Sequence, residues 1–235
     1  MIDYSLVVLA GGLATRLYPI TKKVPKSLIK IDDIPFVIYQ LKLFKRNGIK
    51  HIHFCLGYLG ESIEKVIRES EFYDNLRITF SYDGVEPLGT GGCIQNILNE
   101  ISDSFIVTYG DSYLNLNYLS IIDFFKKNNK ESYGLMTVFK NEKKYDTSNA
   151  IYKDNMVSIY SKTNILDEMN YIDYGLGILS KKHFKKFKSL KNFDLSEVYE
   201  QLSKDSKLLG YESKTRFYEI GSLKGIEDLT NYFKN

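Results

Sequence analysis

Two consecutive glycines, Gly11 and Gly12, close the first apolar run of the chain (YSLVVLA, Tyr4–Ala10), and two cations follow, Arg16 and, behind Pro25, Lys26. Residues of these types in this order could bind phosphate. Glycines without Cβ atoms can turn backbone N–H groups inward and admit an anion to the main chain. Arg16 offers a planar fork for phosphate oxygens, and Lys26 a compact, mobile charge. The spacing is neither G-x-G-x-x-G nor G-x-x-x-x-G-K-[ST], so the dinucleotide and Walker fingerprints are both excluded.

Acidic residues complete the list of candidates. Asp111, in Tyr109-Gly110-Asp111-Ser112, ends a later apolar run. Its carboxylate is therefore expected at the carboxyl edge of the sheet, where open α/β folds bind ligands, although a lone Asp after a strand also suits a helix cap or a turn. Glu86-Pro87-Leu88-Gly89-Thr90-Gly91-Gly92 is, by residue type alone, a glycine-rich strand-to-helix connection. Taken singly, Glu219 reads as an edge-strand carboxylate, and Asn149, Lys162 and Asp173 as solvated side chains.

Apolar runs of strand length alternate with helical patterns through the first half, as in βαβ units. Strands are expected at Tyr4–Ala10, His51–Gly57, near Arg77–Tyr82 and at Ser104–Tyr109. Between them fall a helix opened by Pro35 and closed by Gly48, one around Ser62–Glu69, and one from after Gly92 to about Glu100. After a helix over Tyr118–Asn128 the grammar changes: Tyr133–Phe139, Asn149–Lys153 and Val157–Lys162 read as strands, with Asp154-Asn155 as a hairpin turn. Antiparallel pairing follows. Asp194 with Glu197 reads as a capping box for a helix over Leu195–Lys204, and Ile226, Leu229 and Phe233 form the apolar face of a final helix.

Charge does not recruit a polyanionic partner. The 32 basic side chains stand against 29 acidic ones, for a net +3, so neither nucleic acid nor an anionic membrane is expected and any anion must be held by a local site. Cys55 and Cys93 form no disulfide framework, and no apolar stretch approaches the roughly 18 residues of a membrane span. A cytoplasmic setting is expected, without secretory leader. His51 and His53 share a strand face but have no carboxylate partner nearby, so they read as surface histidines and not as zinc ligands.

The string Gly11-Gly12, Thr15-Arg16-Leu17, Pro19, Pro25-Lys26 resembles the G-G-x-G-T-R-L-x-P … P-K pattern of the sugar-phosphate nucleotidyltransferases, or nucleotide-sugar pyrophosphorylases. Ala14 stands where the pattern usually has glycine. Pro87–Gly92 resembles that family's P-L-G-T-A-G loop, Asp111 its metal-binding G-D aspartate, and Phe217–Ser222 its W-x-D-I-G-[ST] motif, with Glu219 in place of Asp. Tyr160-Ser161-Lys162 and Tyr171–Gly175 resemble the sugar-phosphate motifs, with Ser161 replacing a glutamate and Asp173 an asparagine.

The resemblance implies an α/β fold: a single Rossmann-like nucleotidyltransferase domain with a mixed, mainly parallel central sheet flanked by helices and a smaller antiparallel sugar-binding part. Residues 1–115 would hold the nucleotide, and residues 116–235 the sugar phosphate and the C-terminal helix. It gives Arg16 and Lys26 to catalysis and Mg²⁺ to Asp111 and Glu219. Leu9, Ala10, Gly11, Gly12, Asp83, Glu86, Pro87, Leu88, Gly89, Thr90 and Gly91 go to the nucleotide. Gly110, Asn149, Lys162, Asp173 and Gly175 go to the sugar phosphate.

The implied reaction joins an NTP to a sugar 1-phosphate and releases pyrophosphate. The short stretch after Glu219 makes the chain most similar to compact guanylyltransferases acting on D-glycero-α-D-manno-heptose 1-phosphate, in bacterial surface-polysaccharide synthesis. Asp83 or Glu86 could accept the N1–H and exocyclic amine of guanine, which makes GTP the expected nucleotide. A homodimer is compatible with this reading. Uridylyl or thymidylyl transfer to a hexose or amino-sugar 1-phosphate, and a non-catalytic nucleotide-sugar-binding relative, stay open as alternatives. A glycosyltransferase would want Asp-x-Asp, where this chain has Asp111-Ser112-Tyr113.

Overall fold

The computed structural model describes residues 3–12, 17, 23–129 and 133–234. In chain order its elements are β1 (Ser5–Ala10), a 3-10 turn (Lys26–Leu28), β2 (Lys30–Ile31), β3 (Ile34–Pro35), α1 (Phe36–Arg46), β4 (His51–Leu56), α2 (Gly60–Arg68) and β5 (Arg77–Tyr82). Next come α3 (Gly89–Asn96), β6 (Ser104–Tyr109), β7 (Ser112–Tyr113), α4 (Tyr118–Asn128), β8 (Gly134–Lys140), β9 (Ala150–Lys153), β10 (Met156–Tyr160) and β11 (Tyr171–Ser180). A second 3-10 stretch (Lys181–Phe187), α5 (Leu195–Lys204), β12 (Leu208–Ser213), β13 (Tyr218–Glu219) and α6 (Leu223–Lys234) complete the fold. The chain forms two compact units. The first comprises Met1–Pro87, Thr108–Asn115 and Phe217–Asn235, and the second Leu88–Val107 and Leu116–Arg216.

In the first unit β1, β4 and β5 run parallel, with Val8 opposite Phe54 and Phe54 opposite Phe80. Leu6, Val7 and Val8 are fully buried, as a central strand covered on both faces requires. Helix α1 buries Phe36, Val37, Leu41 and Phe44 and ends as the sequence expects. Gly48 takes φ +78°, its N–H donates to Lys45 O, and Ile49 N donates to Phe44 O, so the free carbonyls of the last turn are satisfied in a Schellman motif. The short β7 pairs with β13, and α6 packs through Leu229 on a cluster of Ile31, Phe36, Leu43, Tyr113 and Ile220. Ring stacking of Tyr39 on Phe233 and of Tyr218 on Tyr232, at 4.4 and 4.6 Å between centroids, ties α6 to α1 and to β13.

His53 departs from its expected place at the surface. It is fully buried, and its Nδ1 lies 2.8 Å from the Thr79 hydroxyl, which is also 3.2 Å from His51 Nε2; His51 Nδ1 in turn lies 2.9 Å from Ser5 Oγ. Hydroxyls from the neighbouring strands thus engage both ring nitrogens of His51 and the Nδ1 of His53. Burial, and then the neighbouring His51, lower the His53 pKa to about 4. An unfolded chain binds this proton near its ordinary pKa of about 6.5, so stability falls as the pH drops from about 6.5 towards 4, by up to about 1.4 kcal/mol per unit. Urea unfolding followed by circular dichroism should show a flatter pH dependence over this window for His53→Gln; parallel curves would refute the contribution.

The second unit orders its strands β11-β8-β12-β10-β9, with β8 and β12 parallel and the pairs β11–β8, β12–β10 and β10–β9 antiparallel. The parallel pairing expected of the first half holds in the first unit, and the antiparallel pairing expected of the second half holds for β9–β10 and β11–β8, whereas β12 runs parallel to β8. No strand is expected from sequence over β11 and β12. Both carry glycines that interrupt the apolar pattern, Gly175 and Gly177 in one and Gly210 in the other. Within β11 the register against β8 shifts between Asp173 and Gly177, and Gly175 adopts φ +97°. The Thr137 hydroxyl donates to Leu176 O at 2.6 Å and so satisfies a carbonyl inside this bulge.

Two local expectations hold in detail. Asp154 and Asn155, at φ +51° and +63°, make the two-residue turn between β9 and β10. Asp194 and Glu197 form the capping box of α5, with Ser196 N donating to Asp194 Oδ1 at 2.8 Å and Asp194 N to Glu197 Oε1 at 3.0 Å. Helix α3, by contrast, starts at Gly89 and not after Gly92, so the glycine-rich connection is itself the first helical turn. No helix among the described residues is long and apolar enough to cross a membrane.

Candidate active site

In the first unit the candidates gather where β1 and β6 end. Gly110 N donates to Leu9 O at 2.8 Å, and a Cβ on Gly110 would lie 2.7 Å from that of Ala10, so glycine is needed for the two strand ends to meet. Gly11 and Gly57 touch in the same manner: a Cβ on Gly57 would stand 2.5 Å from Gly11 O. Beside them, Asp83 Oδ2 lies 3.2 Å from where a Gly11 Cβ would be, which sets a carboxylate against the glycine turn. Gly12 is exposed, with nothing within 4 Å of a Cβ placed on it.

Lys26 reaches Asp111 in this corner. Its Nζ donates to Asp111 Oδ2 at 2.8 Å, with both side chains partly exposed. The neighbouring Ser27 hydroxyl is buried and donates to Gly110 O at 2.9 Å, which seats the 3-10 turn carrying Lys26 on the loop carrying Asp111. Pairing of β7 with β13 sets Glu219 opposite Ser112, one residue from Asp111, and Ile220 N donates to Asp111 O at 2.9 Å. The Glu219 carboxylate accepts from Gly221 N and, at 2.9 Å, from Ser222 Oγ, whose oxygen also accepts from Gly225 N. It thereby organises the first turn of α6. A Cβ on Gly221 would meet both Glu219 Oε2, at 2.3 Å, and Lys26 Nζ, at 3.3 Å, so the glycine keeps carboxylate and ammonium near one another.

Glu86 and Pro87 are exposed and belong to the first unit, whereas Leu88, Gly89, Thr90 and Gly91 belong to the second. There the N–H groups of Gly91 and Gly92 both donate to Phe193 O, and a Cβ on Gly91 would lie 2.3 Å from the Phe193 ring. The resemblance gives Gly91 to the nucleotide, and its missing Cβ makes room for the Phe193 ring. Gly89, at φ +72°, and the Thr90 hydroxyl, which accepts from Leu195 N at 2.8 Å, fasten α3 to the start of α5.

Lys162 pairs with Asp194 Oδ1 at 3.4 Å, an exposed contact that salt and solvent weaken. Burial pushes the Asp194 carboxyl up, but the Ser196 N–H and the Lys162 charge outweigh it and leave the group below the usual range. Asp173 sits in the bulge of β11. Its N–H donates to Asn149 Oδ1 and its Oδ1 accepts from Gly175 N, both at 2.9 Å, so three of the residues given to the sugar phosphate form one hydrogen-bonded group. Burial raises the Asp173 carboxyl above its ordinary value despite the opposing Gly175 N–H, Lys162 and Tyr160. Gly110, given to the same ligand, stands instead in the first unit beside Lys26 and Asp111.

Ala14 and Arg16 lie outside the described residues. Ser27, Gln40 and Asp194 hold or pair with the candidates and are not singled out by sequence as site residues. A signal exists for Gln40: it is a polar residue on a helix face that otherwise buries Val37, Leu41 and Phe44.

The fold is that of an α/β nucleotidyltransferase. The crystal structure of HddC from Yersinia pseudotuberculosis superposes with a TM-score of 0.81 at 26% identity, covering 98% of this chain and 99% of that one. The family model described as "Nucleotidyl transferase" matches residues 5–225, and the chain belongs to that family. It is 27% identical over 215 residues to D-glycero-alpha-D-manno-heptose 1-phosphate guanylyltransferase of Campylobacter jejuni, covering 92% of this chain and 93% of the relative. It is 25% identical to the mannose-1-phosphate guanylyltransferase catalytic subunit beta of Xenopus tropicalis, over 93% of this chain but only 61% of that protein's length.

Proposed function

We propose that this nucleotidyl transferase moves a guanylyl group from GTP to a sugar 1-phosphate, with D-glycero-α-D-manno-heptose 1-phosphate as the sugar, for bacterial surface-polysaccharide synthesis. The observation that carries the reading is the Lys26–Asp111 pair at the glycine turn, a cation and a carboxylate brought together from distant parts of the chain. Support for guanine and heptose comes from the Campylobacter relative, matched along nearly the full length of both chains, and from HddC complexed with GMP-PN, 25% identical to this chain with a TM-score of 0.80.

In the proposed reaction a phosphate oxygen of the sugar 1-phosphate attacks the α-phosphorus of GTP in line. The new P–O bond forms as the bond to the β-phosphate bridging oxygen breaks, and pyrophosphate leaves with that oxygen. A phosphate monoester is already largely dianionic near neutrality, with a second pKa of about 6, so no general base is needed. The protein's work is positioning and charge neutralisation. Gly11 and Gly12 admit the triphosphate, Lys26 faces the α-phosphoryl oxygens, and Asp83 accepts from guanine. Lys162, Asp173 and Asn149 bind the sugar phosphate and its hydroxyls. Lys162 exchanges its weak contact with Asp194 for the phosphate.

Asp111 and Glu219 suit Mg²⁺ by donor type, since both offer hard carboxylate oxygens and the ion commonly takes one or two carboxylates with substrate phosphates. Asp111 Oδ1 carries a 3.3 Å contact from Ser112 Oγ, and the Glu219 oxygens, though each engaged by one donor, keep further lone pairs. When bound, the ion would supply Lewis-acid charge to the phosphates.

Pyrophosphate release from four NTPs crossed with heptose, mannose and glucose 1-phosphates tests the reading. GTP with the heptose phosphate should react fastest. Preference for a pyrimidine nucleotide overturns the guanine reading, and silence across the whole panel overturns the transferase reading.

A further inference from the structure

We propose that Gln40 is a positioning residue for Asp111. Its side chain is 0% exposed, on the face of α1 that otherwise buries Val37, Leu41 and Phe44. Both protons of Nε2 are used: one goes to Tyr109 O and the other to Ser112 O, each at 2.9 Å. These two carbonyls bracket Gly110-Asp111. The carbonyls between them are held as well, Gly110 O by the Ser27 hydroxyl and Asp111 O by Ile220 N, both at 2.9 Å. A single amide therefore closes a four-residue corner whose main-chain acceptors all have donors, and the Asp111 carboxylate projects from a backbone with little freedom to turn.

The remaining atom of the amide argues against a purely packing role. Gln40 Oε1 is buried and has no hydrogen-bond partner among the described residues. An orphaned buried acceptor costs stability, and an apolar side chain of similar volume would avoid that cost. The amide's two donated bonds to the corner account for its presence. Outer residues that orient metal-binding carboxylates typically alter cation affinity 10- to 100-fold when removed.

The inference rests on the reading that Asp111 takes a divalent cation, so its test separates the two. Mn²⁺ binding to the nucleotide-free protein is followed by electron paramagnetic resonance, and the Mg²⁺ concentration for half-maximal pyrophosphate release is measured in parallel. For Gln40→Leu, both should weaken about tenfold, with kcat at saturating Mg²⁺ largely recovered and the KM for sugar 1-phosphate unchanged. Gln40→Met serves as a second replacement of similar length. Wild-type Mn²⁺ affinity in a folded Gln40 variant overturns the positioning role, and so does failure of both variants to fold, which would make the residue structural. Asp111→Asn is the control: if it binds Mn²⁺ like the wild type, the cation reading fails; if it alone loses Mn²⁺, only the role of Gln40 fails.

Discussion

Lys26→Ala should lower kcat about a thousandfold while the purified protein stays folded. Removing one group that neutralises charge in a transition state costs on the order of 10²- to 10³-fold, or about 3–4 kcal/mol. Against that stands the structural cost of losing the Lys26–Asp111 pair, whose side chains are 21% and 33% exposed; a pair so open to solvent contributes about 1 kcal/mol at most. The 3-10 turn that presents Lys26 is held by Ser27 on Gly110 O and by Leu28 N on Pro25 O, bonds that the substitution leaves intact. Activity and stability therefore separate. Lys26→Arg should restore only part of the rate, because a planar fork does not replace a point charge at the same spot. Thermal unfolding and single-turnover kinetics on the same preparations check the claim, and near-wild-type turnover in Lys26→Ala removes Lys26 from the chemistry.

Asp111→Asn should be as damaging and should also abolish the response of rate to Mg²⁺. The substitution keeps shape and removes charge, and the corner around it persists because its bonds come from Gln40, Ser27 and Ile220 N, none of which touches the carboxylate. A loss of about a thousandfold is expected from removal of a metal-held Lewis acid, worth several kcal/mol. Because Lys26 and Asp111 contact each other and serve one transition state, the double variant should be little worse than either single one. Multiplicative losses in the double variant, or Asp111→Asn retaining a Mg²⁺-dependent rate, would show that the two act independently of the proposed chemistry.

Much of the fold was legible where the signal is local. Apolar runs of strand length marked β1, β4 and β6, Gly48 marked the end of α1, and Asp194 with Glu197 marked the start of α5. Strands β11 and β12 were not, because their glycines answer to partners elsewhere: a Cβ on Gly177 would lie 2.0 Å from the Tyr199 hydroxyl, and one on Gly210 would lie 2.5 Å from the Tyr152 ring. His53 was misplaced for the same reason. Nothing near it in the chain announces that Thr79 from an adjoining strand will reach its Nδ1, or that Ser5 and Thr79 will engage the neighbouring His51. At the candidate site, Lys26 and Asp111 stand 85 positions apart, so no spacing rule joins them; the carboxyl ends of the strands they follow point them to one sheet edge, and the resemblance to a family points the same way. The short helix and loop contacts of Gly91 illustrate the converse, since a motif names a residue without telling whether its missing side chain makes room for a ligand or for a neighbour.

That neighbour constrains redesign. Residues 191–193 press on α3 at three successive points: Phe193 O on Gly89, the Phe193 ring on Gly91 and Lys191 O on Gly92. Transplanting the 88–92 segment from a relative would import side chains or backbone angles that this wall cannot receive. A successful exchange has to carry both stretches as one cassette, however far apart they are written in the gene.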